Sequence, residues 1–299
     1  IGGSFGGGNA FQVNQSLNAL QETVPWFADY RWVYGLIMTG LVGIVILGGI
    51  QRIATTAEKI VPAMCGLYVL ACLYIMGSMI GDVPAAVGTI VSTAFSPEAG
   101  FGGLIGVLVQ GFRRAAFSNE AGVGSASIAH SAAATNEPVR EGVVALLEPF
   151  IDTIVICSMT AMVILISGIY SETDYVSGSQ NVSLTINAFG NALPGFEWIV
   201  VFGTVLFTMT TILGWGYYSE KCLEFMVGIK AIKPFRLVWV AVAVFGAIAS
   251  GGMIWTIAEI LNGLMAIPNL IGLLLLSPVV FRLTRSYNFN SKNSSIVPD

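Results

Sequence analysis

The sequence predicts an all-α integral membrane protein, in which a bundle of helices crosses a lipid bilayer. Three features indicate this class: 55% of the 299 residues are hydrophobic, only 10% are charged, and the mean hydropathy is +0.79. Soluble domains carry roughly 25% charged residues. The apolar runs are also longer than the strands of a membrane β-barrel, which alternate over about ten residues. No basic segment suggests a nucleic-acid partner.

Uninterrupted apolar runs of the length that a bilayer requires divide the chain into crossings. Residues 1–20 carry no charge but are rich in glycine and amides, which favours a helix buried in the bundle; a flexible leader is the alternative. Val83 to Phe95 is too short to span and predicts a helix at the membrane surface, and residues 170–197 predict a polar loop. The remaining predicted crossings are Val33–Ile50, Ile60–Gly81, residues 99–136, Val143–Ile169, Trp198–Ser219, Leu237–Gly251 and Thr256–Phe281.

Two of these crossings contain residues that disfavour a regular membrane helix. The stretch Phe112–Glu137, FRRAAFSNEAGVGSASIAHSAAATNE, places polar residues and glycines at membrane depth. It predicts two half-helices around a break at Phe117–Gly124. Such a break is tolerated only where it is buried in protein or lines a water-filled cavity. The last crossing is likewise expected to be interrupted, at Asn262-Gly263 and at Pro268-Asn269.

Lysine and arginine are unevenly divided between the two sets of predicted loops. Ten of the thirteen basic residues lie in one set, and only Arg31 lies in the other. The first set comprises residues 51–59, 137–142, 220–236 and 282 onward, and the second comprises 21–32, 82–98 and 170–197. Because basic residues concentrate on the cytoplasmic side, the C-terminus is predicted to be cytoplasmic. The broken segment must then count as one complete crossing, which gives about eight crossings if residues 1–20 are included.

A helix broken in mid-membrane offers binding groups of both signs. It leaves amide N–H groups at one stub and carbonyl groups at the other, which suit a carboxylate and a cation respectively. Transporters hold a substrate carboxylate beside a coupling ion in this way, near the bilayer midplane. A pore helix or a simple packing kink would give the same sequence pattern.

Charged residues within the crossings are expected to pair with one another. Arg113 and Arg114 lie about a dozen residues into their crossing, where charge is costly and usually paired. Glu120 is the expected partner, with Glu148 and Asp152 as further candidates; snorkelling of the arginines to the surface is the alternative. Glu148 and Asp152 could also relay protons, although structural pairing is favoured.

A row of threonines marks the Trp198–Ser219 crossing. Thr204, Thr208 and Thr211 share one face, and their hydroxyls could ligate a hard cation such as sodium or bond to carbonyls of their own helix. Trp215, four residues after Thr211, could line the same cavity. No chemistry is assigned to the four cysteines, which lack ligand spacing, and a packed, hydrogen-bonded role is expected for His130.

Four stretches, in order along almost the whole chain, carry a resemblance to a known family. They are GGGNAFQVNQ, RRAAFSNEAGVGSASIAHSAAATNEPVREG, EPFIDTIVICSMTAMVIL and LNGLMAIPNL. They resemble the corresponding motifs of the alanine or glycine:cation symporters, which are sodium-coupled amino-acid transporters of bacteria and archaea. The resemblance, and not the composition, supplies the substrate class.

The resemblance implies a leucine-transporter type fold: two five-helix repeats of inverted topology, each beginning with a helix unwound at its centre. Residues 1–285 would form the bundle from the third to the tenth core helix, with 101–136 as the unwound helix and 198–219 as the eighth. Residues 286–299 would form a cytoplasmic polar tail. Since the first two core helices do not appear, the resemblance predicts an N-terminally truncated fragment that does not transport alone.

The site residues implied by the resemblance cluster around the unwound helix. Those expected to bind substrate are Gln12, Phe117, Ser118, Asn119, Gly122, Thr211 and Trp215. Sodium would lie near the hydroxyls of Thr208 and Thr211, and no organic cofactor or enzymatic activity is expected.

The predicted function is sodium-coupled symport of alanine or glycine, by alternating access, across the plasma membrane of a bacterium or archaeon. The partners would be the amino acid, sodium and the lipid bilayer. The alternative is a channel or structural membrane subunit in which the broken helix shapes a pore. The sequence does not separate alanine from glycine, because one methyl group in a pocket is worth only about 1–3 kcal/mol.

Overall fold

The computed structural model describes residues 1–94, 101–120, 122–170 and 182–287, and within these ranges the regular secondary structure is helical. Five of the helices are long and apolar enough to cross a membrane. They are Ile50–Ser78, Pro138–Ile166, Glu197–Val227, Ile229–Ile248 and Gly251–Ser286. This architecture confirms the predicted all-α membrane class.

Shorter helices connect or flank these five. They are Ser4–Ala10, a π-helical segment that continues into Phe11–Thr23, then Trp26–Asp29, Arg31–Ile46, Val83–Ala94, Phe101–Ser118, Ser125–His130 and Val182–Ala192. The helix Val83–Ala94 has the short length predicted for residues 83–95, of which Phe95 lies outside the described ranges.

The N-terminal helix, residues 4–23, is buried in the bundle as its composition predicted. Its glycines allow close approach: a Cβ on Gly8 would lie 2.3 Å from Cγ of Trp215. Its amides bind carbonyls of the neighbouring helix Ile232–Ile248, because Asn9 donates to the Trp239 carbonyl at 2.8 Å and Asn14 to the Gly246 carbonyl at 3.1 Å. Glycine and asparagine in this helix therefore serve helix packing.

Two apolar cores hold the bundle together. One joins the N-terminal helix, Arg31–Ile46, Glu197–Val227 and Ile232–Ile248 around the fully buried Trp239. The other includes the first residues of Glu197–Val227; its buried members include Cys72, Ile75, Val163, Ile186, Phe189 and Val201. The long helix Glu197–Val227 therefore contributes to both cores, with Val200 and Val201 in one and Ile212 and Leu213 in the other.

The polar loop predicted for residues 170–197 is wrong for part of its length. Val182–Ala192 forms a helix, since its spacing of apolar residues buries Ile186, Ala188 and Phe189 on one face. Residues 171–181 lie outside the described ranges.

The interruptions predicted in the last crossing are also wrong. Gly251–Ser286 is one helix of 36 residues with Pro268 and Pro278 inside it. A proline removes one intrahelical hydrogen bond, and membrane helices tolerate this loss because neighbouring groups and local adjustment compensate. The helix therefore continues through both Asn262-Gly263 and Pro268-Asn269.

Gly246 provides a test of the close packing between the N-terminal helix and Ile232–Ile248. A Cβ at Gly246 would lie 2.6 Å from the Ala10 carbonyl oxygen, which is backbone and cannot turn away. We expect Gly246→Ala to lower the free energy of unfolding by about 1–3 kcal/mol through overpacking. The measurement is unfolding of the purified protein in detergent, followed by circular dichroism.

The matched control is Gly77→Ala, because a Cβ at Gly77 meets nothing within 4 Å. This change should be neutral or stabilising by up to about 1 kcal/mol, since alanine favours helix over glycine. Equal effects of the two substitutions would contradict the packing argument.

Candidate functional site

The broken helix is the centre of the candidate site. The helix Phe101–Ser118 ends, and the half-helix Ser125–His130 begins seven residues later, within the stretch from which the sequence predicted a break. Three residues between them have positive φ: Glu120 at 56°, Gly122 at 79° and Gly124 at 116°. Glycine adopts this conformation without cost, whereas for glutamate it is uncommon and strained. Strain of this kind persists where the surrounding contacts hold it, often at functional sites.

Two asparagines of Gly251–Ser286 satisfy backbone groups that the break leaves free. Asn262 donates to the carbonyl of Ala116 at 3.1 Å, and Asn269 donates to the carbonyl of Gly122 at 2.8 Å. Seven residues separate the two asparagines, which places them on one face of the helix two turns apart. Both asparagines were predicted to interrupt Gly251–Ser286. Instead, they bind carbonyls at the break that follows Phe101–Ser118.

The two arginines next to the break pair with residues other than those predicted. Arg113 forms an ion pair with Glu259 of Gly251–Ser286. The Arg114 guanidinium lies 4.6 Å from the centroid of the Trp255 ring, over its face. The predicted pairing with Glu120, Glu148 or Asp152 is therefore wrong, because the last helix runs beside the break and presents Glu259 and Trp255 to the arginines.

Glu120 turns towards the helix Glu197–Val227. One carboxylate oxygen accepts a hydrogen bond from Nε1 of Trp215 at 3.0 Å, and the other accepts from Oγ of Ser125 at 2.5 Å. These contacts tie the break to a tryptophan that the resemblance placed in the substrate site. The sequence had suggested Glu120 only as a partner for arginine, and its position two residues before Gly122 was the available signal for a role in the break itself.

Gln12, Thr208 and Trp215 lie along the contact between the N-terminal helix and Glu197–Val227. The Thr208 hydroxyl donates to the backbone carbonyl of Gln12 at 3.1 Å, while the Gln12 amide donates to the Gly7 carbonyl at 3.0 Å. Trp215 is 7% exposed and packs against Gly8. Three of the predicted residues therefore belong to one interface between two helices, and Trp215 also bonds to the break through Glu120.

Phe117, near the end of Phe101–Ser118, packs against aromatic rings of two other helices. Its ring stacks on Trp255 with centroids 5.8 Å apart and contacts Phe11 at 5.4 Å. A Cβ on Gly7 would lie 3.9 Å from Phe117, so this ring is also next to the N-terminal helix. Phe117 therefore joins the end of its helix to the N-terminal helix and to Gly251–Ser286 through aromatic contacts.

The threonines of this crossing have two kinds of hydroxyl. Thr204 of the row, and Thr210 outside it, donate to carbonyls of their own helix, those of Val200 and Leu206. Thr208 is buried and bonds across to the N-terminal helix, and Thr211 is half-buried one turn away towards Trp215. Thr208 is thus the member of the row whose hydroxyl bonds to another helix.

Ser118 and Asn119 contact a different helix, the span Pro138–Ile166. Ser118 Oγ lies 2.5 Å from Oδ2 of Asp152, and Asn119 donates to Oγ1 of Thr153 at 2.8 Å. Both partners belong to a π-helical segment, Phe150–Cys157. The predicted substrate residues therefore contact more than one neighbouring helix. Asp152 and Thr153 are part of the site as well, and the only sign of them in the sequence was a carboxylate within an apolar run.

His130 is hydrogen-bonded, as expected. Its Nδ1 lies 2.6 Å from Oε1 of Glu141, and its Nε2 lies 3.8 Å from Oε2 of Glu148. These contacts link the second half-helix to the beginning of the next crossing. Glu148, a predicted partner for arginine, is next to this histidine instead.

Long apolar helices arranged around a broken helix define a multi-pass membrane protein. The family model described as the sodium:alanine symporter family matches residues 1–297, so the chain belongs to this family. Its members are transporters and not enzymes, and the chain is therefore a multi-pass protein of the cell membrane.

Individual relatives agree with this assignment. The chain is 43% identical over 293 residues to the sodium/alanine symporter AgcS of Methanococcus maripaludis, covering 98% of this chain and 64% of the relative. It is 36% identical over 287 residues to the probable sodium/glutamine symporter GlnT of Bacillus subtilis, covering 95% of this chain and 59% of that protein. The chain thus spans less than two thirds of the length of these relatives.

Asn269 provides a test of how the break is held. We expect Asn269→Ala to leave the Gly122 carbonyl without its donor, a loss of about 1–3 kcal/mol for a group removed from water. Hydrogen–deuterium exchange of the amides at residues 119–125 should become faster. The control is Asn187→Ala on an exposed face, which should leave that exchange unchanged. Unaltered protection in Asn269→Ala would show that the asparagine does not hold the break.

Proposed function

We propose that this chain carries the substrate and ion site of a sodium-coupled symporter for a small neutral amino acid, alanine or glycine. The observation that carries the proposal is the hydrogen bond from Trp215 to Glu120, which joins a broken membrane helix to the helix Glu197–Val227. Thr208 of the same helix donates to the Gln12 carbonyl of the N-terminal helix. Membership of the sodium:alanine symporter family supports the reaction class. The names of the relatives include alanine and glutamine, so the choice of amino acid is part of the proposal.

The aromatic packing around the break supports a small substrate. Phe117 stacks on Trp255, and Trp215 donates to Glu120. Gly122 adds no side chain to the break. A methyl side chain or none would leave these rings in their packing, whereas a long side chain would displace them.

Oxygen donors support a sodium ion beside this substrate. The Thr208 hydroxyl, the Gln12 carbonyl and the Thr211 hydroxyl are neutral oxygens, the donor type that a hard cation prefers. Substrate and ion would together stabilise a closed state, which then reopens on the other side of the membrane. Binding of each ligand would raise the affinity for the other, because such coupling is reciprocal.

We also propose that the chain adopts a leucine-transporter type arrangement. Residues 1–285 would supply the third to tenth core helices, 101–136 the unwound helix, and 286–299 a cytoplasmic tail. The division of basic residues between the two sets of loops supports this orientation.

A pair of threonine variants tests the sodium site. We expect Thr208→Val to reduce sodium affinity about tenfold or more, because it removes a hydroxyl that points across to Gln12. Thr210→Val removes a hydroxyl bonded to its own helix and should leave affinity within about twofold. The measurement is binding of radiolabelled sodium to the purified chain at constant ionic strength. Equal affinities for the two variants would exclude Thr208 as a ligand.

Asn119→Leu tests the substrate site. We expect it to abolish sodium-dependent, saturable binding of radiolabelled alanine while the protein stays monodisperse on size exclusion. Asn187→Leu, on an exposed face, should bind as the unaltered chain does. A channel would behave differently: the chain would bind alanine weakly and without sodium dependence, and would conduct ions ohmically in a planar bilayer. That result would contradict the proposed symport.

A further inference from the structure

The last membrane helix ends in two exposed arginines at the level of the lipid headgroups. Arg282 lies 13 residues beyond Asn269, whose amide binds the break in mid-membrane, and this length of helix spans about 20 Å. Half of a bilayer, headgroups included, is about 20–22 Å thick. Arg285, about one turn further on, lies on the same face of the helix. The two guanidinium groups are therefore at the depth where phosphate groups lie.

An open cavity of about 420 Å³ lies beside these arginines. The described residues that line it are Phe281, Arg282, Arg285 and Ser286. Phe281 is 76% exposed, and Leu274, two turns earlier on the same face, is 74% exposed. The cavity therefore joins a cationic surface to an apolar helix face, and a phosphate that carries acyl chains would contact both.

Tyr287 joins this end of the helix to the start of another crossing. Its hydroxyl donates to Oε2 of Glu137 at 3.1 Å, and Glu137 is the N-cap residue of the helix that begins at Pro138. Burial and the Glu137 carboxylate raise the pKa of the Tyr287 phenol, and the Arg140 guanidinium opposes this rise. Arg140 is therefore close to Tyr287, and three arginines lie around one joint between two membrane helices.

The acidic side chains at this joint are bound to other groups. Glu137 accepts the hydrogen bond from Tyr287, and Oε1 of Glu141 lies 2.6 Å from Nδ1 of His130. None of the ion pairs between described residues includes any of the three arginines. The described part of the joint therefore carries positive charge that its own acidic side chains do not pair.

We propose that this joint binds an anionic phospholipid, whose phosphate is held by Arg282 and Arg285 and whose acyl chains lie along the apolar face before Phe281. Guanidinium groups bind phosphate oxygens in pairs, with defined geometry. A basic residue near an anionic membrane surface strengthens attraction about fivefold. Arg140 adds a third positive charge. A headgroup with net negative charge suits this site, whereas a zwitterionic headgroup brings its own cation near the arginines.

A lipid at this joint would act on two helices that contact the break. Gly251–Ser286 carries the asparagines that bind carbonyls of the break, and Pro138–Ile166 carries the partners of Ser118 and Asn119. By holding the ends of both helices, the lipid would stabilise their packing around the break. The site needs only these two helix ends, so it does not depend on the proposed transport activity.

Native mass spectrometry of the purified chain tests the site. Phosphatidylglycerol or phosphatidylcholine of equal chain length is titrated in detergent, and the bound lipid is counted. We expect the first phosphatidylglycerol to bind about tenfold more tightly than phosphatidylcholine. Arg282→Gln with Arg285→Gln should bring the two affinities within about twofold. The matched control is Lys230→Gln with Lys233→Gln, which removes the same charge from two exposed lysines three residues apart and should keep the preference.

A fluorescence measurement in nanodiscs locates the lipid. The four cysteines are replaced by alanine, and Ser277→Cys, one turn before Phe281 on the same face, is labelled with bimane. Phosphatidylglycerol with a nitroxide near the glycerol end of one acyl chain should quench the label more strongly than phosphatidylcholine with the same nitroxide at equal mole fraction. The arginine variant should make the quenching by the two lipids equal, and the lysine variant should not.

Three results would overturn the site. Equal preference in the arginine and lysine variants would show that attraction follows net charge alone. Displacement of phosphatidylglycerol by an equal concentration of inorganic phosphate would show that the acyl chains do not contribute. If the arginine variant does not fold, Arg282→Lys with Arg285→Lys decides the question, because it keeps the charge and loses the paired contacts. It should weaken phosphatidylglycerol binding several-fold, and unchanged binding is the third contradicting result.

The lipid site and the proposed function can fail separately. If alanine binding proves independent of sodium while the preference for phosphatidylglycerol is lost only in the arginine variant, the symport proposal fails and the lipid site stands.

Discussion

A backbone carbonyl or amide inside a lipid bilayer has no water to bind, and this constraint governs how the broken helix is held. The helix Phe101–Ser118 stops in mid-membrane and leaves carbonyls that need donors. Asn262 and Asn269 supply two of those donors from a helix that stays intact. The helix Gly251–Ser286 thus carries side-chain amides that the break requires. The break therefore depends on residues that are far from it in the sequence.

The same constraint explains the side chains around the break. Glu120 has a strained backbone conformation, and its carboxylate accepts hydrogen bonds from Trp215 and Ser125. Ser118 and Asn119 contact a π-helical segment of another helix. The polar groups of the break are thus shared among three helices, and a shift of any one helix would change the contacts of the others. An alternating-access mechanism needs coupling of this kind.

The sequence predicted the helical class, the buried N-terminal helix and the position of the break, because apolar run length and glycine content report these directly. It was wrong about the last crossing, where glycine and proline suggested interruptions in Gly251–Ser286. It was also wrong about the arginines, since it considered acids in neighbouring stretches and overlooked Glu259. A polar loop was predicted around residue 186, where the structure has the helix Val182–Ala192. The apolar residues of this helix lie on one face, and among serines and asparagines they indicate a helix only weakly.

What the sequence determined by itself was the membrane environment and the presence of a broken helix with polar residues at its centre. These follow from local composition, since a bilayer imposes length and polarity on each segment separately. The tertiary structure alone decided which side chains complete the break. Partners such as Asn269 for Gly122 and Trp215 for Glu120 are more than ninety residues apart, and only the packing of whole helices brings them within hydrogen-bond distance.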